Sequence, residues 1–172
     1  MKKNKYLDTD NVFLDTSIFE EQNFTNGTKL HGIFHYGRIG VINIHTTTIS
    51  RMELDNRIKK RVLKSKSELK KLRRNYEDKD IRIIKNLEFY KDIKIPKINE
   101  DYHSREIKRK IDRLFENSNV NTIKTSNLPI RDIVSSYYQR TPPFHNTGKQ
   151  CEFIDAFILK KKDFNSFKLI LL

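Results

Sequence analysis

Short apolar runs alternate with helical periodicities along the first part of the chain. Residues 12–14 form a continuous apolar run, Val-Phe-Leu, which is typical of a strand that is covered on both faces. Apolar residues then recur at helical spacing between Leu30 and Phe34, and a β-rich run covers residues 41–46. Because strand, helix and strand in this order form the unit of a parallel sheet, the pattern predicts an α/β fold.

A long helical pattern follows the second strand. Thr47 or Thr48 can cap a helix, and apolar side chains continue along one side of it at spacings of four, seven, three and four, at Ile58, Val62, Leu69, Leu72 and Tyr76. Pro96 interrupts any helix, and the same spacing returns over Ser104–Asn117. We therefore expect a helical hairpin, inserted at about residues 54–118.

The remaining chain predicts two more strands and two helices. A third strand is expected at 120–123, a helix from Pro129, where proline suits the first helical position, and a fourth strand at 167–172. A turn-rich loop before the fourth strand leads into an acidic helix near residues 152–157. A length of 172 residues is that of one compact domain, so we expect a single domain over residues 1–172.

Positive charge is concentrated in the predicted hairpin. The chain has 35 Lys and Arg against 22 Asp and Glu, a formal net charge of +13. Between Arg57 and Arg74 there are 10 Lys and Arg and one Glu, so +9 of that charge lies here. This run favours a surface that follows nucleic-acid phosphates, and the alternative is a merely solvated face. The candidate phosphate-binding residues are Lys59, Lys60, Lys70, Lys71, Arg73 and Arg74.

Cysteine content and hydropathy exclude several classes of protein. With Cys151 as the single cysteine, neither a disulfide framework nor a cysteine-based zinc site is available. No apolar stretch approaches membrane length, and the first residues are polar rather than a signal-peptide core. We therefore expect a cytoplasmic protein with no membrane partner.

Two carboxylates are predicted to meet at one edge of the sheet. Asp15 directly follows the first strand, where open α/β sheets place ligands, and an ionised carboxylate there needs water, a partner or a metal. The alternative is that Asp15 caps the next helix. Glu53 begins near the same edge, on the helix after the second strand, and its alternative is an exposed acid favoured by the helix dipole.

Two further acids form a second candidate metal-binding element. Glu152 and Asp155 are three residues apart, hence on one helical face. Carboxylate oxygens suit Mg²⁺ and Mn²⁺, which can activate water and neutralise charge in phosphodiester cleavage. Thr16 or Ser17 can orient a carboxylate or a metal-bound water, or else cap the following helix.

These motifs carry a resemblance to a known family. The strand followed by Asp15-Thr16-Ser17, the helical Glu53, and Pro143-Phe144 followed by Gly148-Lys149 and Glu152-Phe153-x-Asp155-Ala156 resemble PIN-domain nucleases. In detail they are similar to the branch with a long inserted helical hairpin, once catalogued as a domain of unknown function.

The resemblance implies a fold, an activity and a site. The fold is a three-layer α/β/α sandwich around a central parallel sheet, here with a protruding basic helical hairpin. The activity is metal-dependent phosphodiester hydrolysis, usually of RNA, with the metal held at the positions matched by Asp15, Glu53 and Asp155. Glu152 matches a further acid of the branch motif.

The sequence departs from the pattern of this branch at three places. Gln150 stands where the branch usually has a second Lys, and Ile154 stands where it usually has Pro. Family members usually continue past the fourth strand into another acid-bearing loop, whereas this sequence ends at Leu172. We expect the carboxyl-terminal end of the domain to be incomplete and its activity to be weak.

Other candidate residues carry weaker signals. His31 and His35 have the spacing of a zinc pair, but no third ligand is apparent nearby, and the pattern there is that of a core and surface helix. His145 and Lys149 precede the acidic helix and can contact substrate phosphate or be ordinary loop residues. The aromatic residues Tyr137, Tyr138 and Phe144 can stack on bases, although their spacing is more typical of core.

The leading hypothesis is a Mg²⁺- or Mn²⁺-dependent endoribonuclease that acts on single-stranded or structured RNA. Asp15, Glu53 and Asp155 would hold the metal, and Glu152 would be an additional ligand or orient water. One alternative is a non-catalytic nucleic-acid-binding protein of the same fold. Another is the toxin of a toxin–antitoxin or phage-defence pair, which would have a protein inhibitor as partner.

Overall fold

The computed structural model describes residues 10–77, 87–88, 94–124 and 130–139. Its strands are β1 (Asn11–Phe13), β2 (Asn43–Thr47) and β3 (Asn121–Ile123). Its helices are α1 (Thr16–Glu21), α2 (Thr28–Arg38), α3 (Thr48–Glu77), α4 (Glu100–Asn117) and α5 (Ile130–Tyr138). The predicted fourth strand at 167–172 and the acidic helix lie outside the described residues.

The three strands form one parallel sheet in the order β1-β2-β3. Phe13 lies opposite His45, and His45 lies opposite Asn121, so the three strands are paired side by side. The amide of Leu14 donates to the carbonyl of His45 at 2.8 Å, which continues the pairing one residue past β1. All three strands therefore end at the same edge of the sheet.

Both faces of the sheet are covered. Neighbouring residues of a strand point to opposite faces, yet Val12 and Phe13 are both buried, and four consecutive residues from Ile44 are buried in β2. Strands buried on both faces, with helices in the connections, confirm the predicted α/β fold with a parallel sheet.

The core around the sheet is built on aromatic and close backbone contacts. Phe19 of α1, Phe34 of α2 and Phe115 of α4 form a triangle with ring centroids 5.8 to 6.4 Å apart. Such pairs are favourable beyond the area that they bury. At Gly37 a Cβ atom would lie 2.4 Å from Cδ1 of Ile44, so a larger residue at this close approach of α2 to β2 would require the Ile44 side chain to move.

The chain divides into two compact units, and the division falls within α3 and α4. We call Met1–Leu54 with Ile111–Leu172 the sheet unit, and Asp55–Lys110 the helical unit. Within the helical unit, Lys66 of α3 lies 3.7 Å from Glu100 of α4, and Lys108 pairs with Asp55. The predicted pairing of two helices is thus observed, although α4 begins at Glu100, four residues earlier than expected.

Two expectations about apolar positions are wrong. Leu72, placed on the apolar side of α3, is 54% exposed. Of the two alternatives for Tyr137 and Tyr138, base stacking or core, the core alternative is wrong: they are 47% and 79% exposed, because the buried side of α5 is centred on Ile133 and Ser136.

Among the described residues, no helix has the length and apolar character needed to cross a membrane.

Candidate functional site

Asp15 is the first element of the site, and it lies at the carboxyl edge of the sheet. It follows β1 by two residues, has an extended backbone and caps α1. Its Oδ2 accepts hydrogen bonds from the Ser17 amide at 3.1 Å and from the Ser17 hydroxyl at 2.5 Å. The capping alternative is therefore observed. Its Oδ1 accepts no hydrogen bond from the described residues, so capping and ligation of a cation can use different oxygens of one carboxylate.

Glu53 reaches the same place from α3. The Thr47 hydroxyl accepts a hydrogen bond from the Ser50 amide at 3.0 Å, so Thr47 caps α3 directly at the end of β2. Glu53 lies in the second turn, where its Oε2 accepts a hydrogen bond from the Thr16 hydroxyl at 2.9 Å. Thr16 is 2% exposed and directly follows Asp15. The structure therefore brings the carboxylate of Glu53 to the residue next to Asp15.

Arg51 fixes the rotation of α3 that this contact needs. Its guanidinium lies 2.5 Å from Oδ1 of Asp112, 3.4 Å from the Thr122 hydroxyl and 5.2 Å from the ring centroid of Phe115. Residues two apart on an α-helix point about 200° apart around its axis. With Arg51 held against α4 and β3, Glu53 points to the opposite side, toward α1.

A complete metal site is not contained in the described part of the chain. Within it, no group of three or more His, Cys, Asp and Glu side chains could hold a metal ion. Asp15 and Glu53 offer hard oxygen ligands of the kind that Mg²⁺ and Mn²⁺ accept. The other predicted acids, Glu152 and Asp155, lie outside the described residues, as do Phe144, His145, Lys149 and Cys151.

The predicted phosphate-binding residues lie along α3. Lys59, Lys60, Lys70, Lys71 and Arg74 are exposed. Arg73 is only half-exposed and donates to the carbonyl oxygens of Ile95 and Pro96 at 3.0 and 3.2 Å, and Lys71 lies 3.0 Å from Glu68. Arg73 is thus partly occupied in tying α3 to the segment before α4.

A cavity in the helical unit brings in residues that the sequence did not single out as functional. It has a volume of about 230 Å³ and is lined by Asp55, Ile58 and Lys59 of α3 and by Ser104, Arg105 and Lys108 of α4. Of these, only Lys59 was selected from the sequence. The available signal was the repeated spacing of four between Asp55 and Lys59 and between Ser104 and Lys108, which puts each pair on one helical side.

The histidine pair considered for zinc is engaged otherwise. The ring of His31 lies 2.8 Å from the Thr25 carbonyl oxygen, and that of His35 lies 3.2 Å from the Arg38 guanidinium. Both rings are exposed. The alternative of core and surface positions on a helix accounts for His31 and His35.

Comparison with known proteins identifies the family. A family model described as the PIN domain matches residues 12–161, a span that includes Asp15, Glu53, Glu152 and Asp155. No curated protein and no solved structure matches the chain significantly. PIN domains are generally nucleases, typically with divalent metals, and act on nucleic acids. With a match over most of its length, the chain belongs to the PIN-domain family of nucleases.

Proposed function

We propose that the protein is a metal-dependent endoribonuclease whose site lies at the carboxyl edge of the sheet. The observation that carries this proposal is the hydrogen bond between Thr16 and Glu53, which joins the residue after Asp15 to an acid of α3. Asp15 and the side chain of Glu53, from different elements, thus lie near the edge where open α/β sheets bind ligands.

Each acid has a defined role in this proposal. Asp15, Glu53 and Asp155 would hold Mg²⁺ or Mn²⁺, and Glu152 would be an additional ligand or would orient the attacking water. The bound ion supplies an activated water and neutralises charge on the phosphodiester. Ser17 fixes Oδ2 of Asp15 and Thr16 fixes Oε2 of Glu53, so both carboxylates are oriented before substrate arrives.

Substrate binding is the proposed role of the basic side of α3. Its exposed lysines attract the phosphates of a single strand without reading the bases, since no aromatic residues alternate with them between Arg57 and Arg74. Lys149 is proposed to contact phosphate near the acids. The proposed partner is therefore a nucleic-acid strand bound through its backbone, and RNA is the substrate that the resemblance to PIN-domain nucleases favours.

The test of this function is cleavage of a labelled single-stranded RNA in Mg²⁺ or Mn²⁺. Asp15→Asn and Asp155→Asn should each lower the rate by more than about 100-fold, which exceeds the loss expected for a residue that only supports a metal ligand. RNA binding in EDTA should survive. Asp10→Asn is the matched control, because Asp10 lies at the other end of β1 and contacts Asn43 at 3.1 Å.

Substitution of Thr16 directly tests the hydrogen bond to Glu53, on which the proposal depends. Thr16→Val keeps the shape but removes the donor to Glu53, so cleavage should fall about 10- to 100-fold and the Mn²⁺ concentration for half-maximal activity should rise. Thr16→Ser should restore both. Parental rates in Asp15→Asn would overturn the site, and an unchanged Mn²⁺ requirement in Thr16→Val would remove Glu53 from it.

A further inference from the structure

The cavity in the helical unit is a groove between α3 and α4. Its two helical sides contribute alternating polar and charged side chains around Ile58, and its volume of about 230 Å³ exceeds what ordinary packing leaves between two helices. All six lining residues belong to the helical unit. The groove is therefore a feature of the helix pair itself.

The groove is positively charged. Lys59, Arg105 and Lys108 face one carboxylate, that of Asp55, which gives a net charge of +2 for the lining. Lys108 neutralises Asp55 in an ion pair, and Arg105 uses its Nε atom on the Asp101 carbonyl oxygen at 3.1 Å. The ammonium group of Lys59 and the outer nitrogens of Arg105 form no ion pair with any described residue, so both can receive an anion.

Ser104 supplies an independent indication of a ligand. It is 9% exposed, and its Oγ is buried without a hydrogen-bond partner in the described part of the chain. A buried hydroxyl that lacks a partner is costly, and native proteins contain few of them. Ser104 lines the groove together with Lys59 and Arg105. A ligand with anionic oxygen would accept its hydrogen bond and remove that cost.

We propose that this groove binds one phosphodiester group of the RNA strand. A phosphate oxygen accepts the Ser104 hydroxyl, Arg105 offers a planar pair of donors, and Lys59 adds a point charge. The lysines of α3 outside the groove then contact neighbouring phosphates. The groove thus holds one phosphate at a defined position, and the other lysines bind the rest of the strand less specifically. This assignment of the ligand rests on the proposed function, whereas the groove, its charge and its hydroxyl do not.

The test measures binding of a fluorescent single-stranded RNA by anisotropy in EDTA, over a series of salt concentrations. Lys59→Gln should reduce the slope of log affinity against log salt by about 0.7, the value for one phosphate contact on a single strand. Ser104→Ala should weaken binding about 3- to 10-fold at every salt concentration and leave the slope unchanged, because a neutral hydroxyl releases no counterion. The double variant should lose less than the product of the two effects, because both residues share one phosphate.

Matched controls separate the groove from the surface. Lys64→Gln and Ser67→Ala replace exposed residues of α3 that do not line the groove, and each should bind RNA more tightly than its groove counterpart. Ser104→Ala should melt at or above the parental temperature, because it removes an unpartnered hydroxyl. Parental affinity in Ser104→Ala, or a melting temperature lowered by several degrees, would overturn the proposed phosphate site.

The same variants distinguish failure of this site from failure of the proposed function. Loss of cleavage in Asp15→Asn with parental RNA binding in Ser104→Ala would overturn the groove alone. Weakened binding in Ser104→Ala with no cleavage by the parent in Mg²⁺ or Mn²⁺ would overturn the nuclease proposal alone. If the parent binds no RNA, the proposed phosphate site in the groove is overturned. The cleavage assay then tests the nuclease proposal on its own.

Discussion

The sheet unit and the helical unit use their residues in opposite ways. Of the 16 buried hydrophobic residues among those described, 14 belong to the sheet unit and only Ile58 and Val62 to the helical unit. The helical unit has 20 Lys and Arg against 10 Asp and Glu, so it accounts for +10 of the chain's +13 charge. Most of the described buried core and most of the positive charge are thus divided between two parts of one chain.

The difference explains why the two candidate sites have different physical bases. At Asp15 and Glu53, buried neighbours such as Thr16 hold carboxylates in one geometry, which chemistry at a metal requires. Along α3, exposed lysines have many conformations, which suffices for contacts to phosphate. Ion pairs such as Lys66 with Glu100 are half-exposed and each contribute at most about 1 kcal/mol. In the proposed function, the sheet unit therefore holds the acids in fixed positions, whereas the helical unit attracts phosphate through exposed charges that need no fixed position.

The largest expected effect is on the core of the sheet unit. Phe115→Ala removes the ring that packs on Phe19 and Phe34 and lies under Arg51. The free energy of unfolding should fall by about 3–5 kcal/mol, as for other buried Phe→Ala changes. Chemical denaturation followed by circular dichroism measures it.

The control for this prediction lies in the helical unit. Leu72 is 54% exposed, so Leu72→Ala should change the free energy of unfolding by no more than about 0.5 kcal/mol. If Leu72→Ala lowers the free energy of unfolding as much as Phe115→Ala does, Leu72 is packed in a core of the helical unit in spite of its exposure.

The sequence predicts best what depends on local pattern. The apolar run at 12–14, the helical spacing between Leu30 and Phe34 and the β-rich run at 41–46 predict strand, helix and strand. The strand prediction holds because a parallel sheet buries both faces of its strands. The position of Asp15 follows from the same pattern, since a charge cannot lie within such a strand. Cap residues were also predictable from the sequence: Thr47, one of the two residues expected to cap α3, caps it.

Contacts between distant residues were not predictable in this way. The hydrogen bond from Thr16 to Glu53 spans 37 positions, and it depends on a rotation of α3 that Arg51 and Asp112 set across 61 positions. The pair of Asp55 and Lys108 in the groove is separated by 53. Periodicity identifies which side of a helix is apolar, but it does not say which polar residue of another element that helix meets.

A second prediction concerns the charge of the helical unit. Replacing Lys59, Lys60, Lys70 and Lys71 with Gln should flatten the salt dependence of RNA binding by roughly two to three units, since each phosphate contact on a single strand contributes about 0.7. The loss should be similar for two unrelated RNA sequences, because phosphates carry no sequence information. Gln is nearly as good a helix former as Lys, so α3 should persist. Salt titrations of binding with both RNAs provide the measurement.

The matched control removes as much charge from the sheet unit. Lys29, Arg38, Lys124 and Arg131 are exposed there, and replacing all four with Gln should leave the slope close to the parental one. An equal flattening in both quadruple variants would mean that net charge, rather than the basic side of α3, determines binding.

The smallest expected effect is a pH dependence within the sheet unit, from His45 in the middle of β2. Burial lowers the pKa of His45 below its ordinary value of 6.5, and the nearby Asp10 carboxylate opposes this only in part. Its ring lies 3.2 Å from Oδ1 of Asn11 and 3.4 Å from Nδ2 of Asn121, an arrangement that suits a neutral ring with one donor and one acceptor.

Between the folded pKa of His45 and 6.5 the unfolded chain binds more protons than the folded one. The free energy of unfolding should therefore fall as the pH drops through this window and level off below it. Denaturation at a series of pH values should show this decline in the parent, a flatter course in His45→Gln, and the parental course in His31→Gln, whose ring is exposed. An equally steep decline in His45→Gln would assign the pH dependence to other groups.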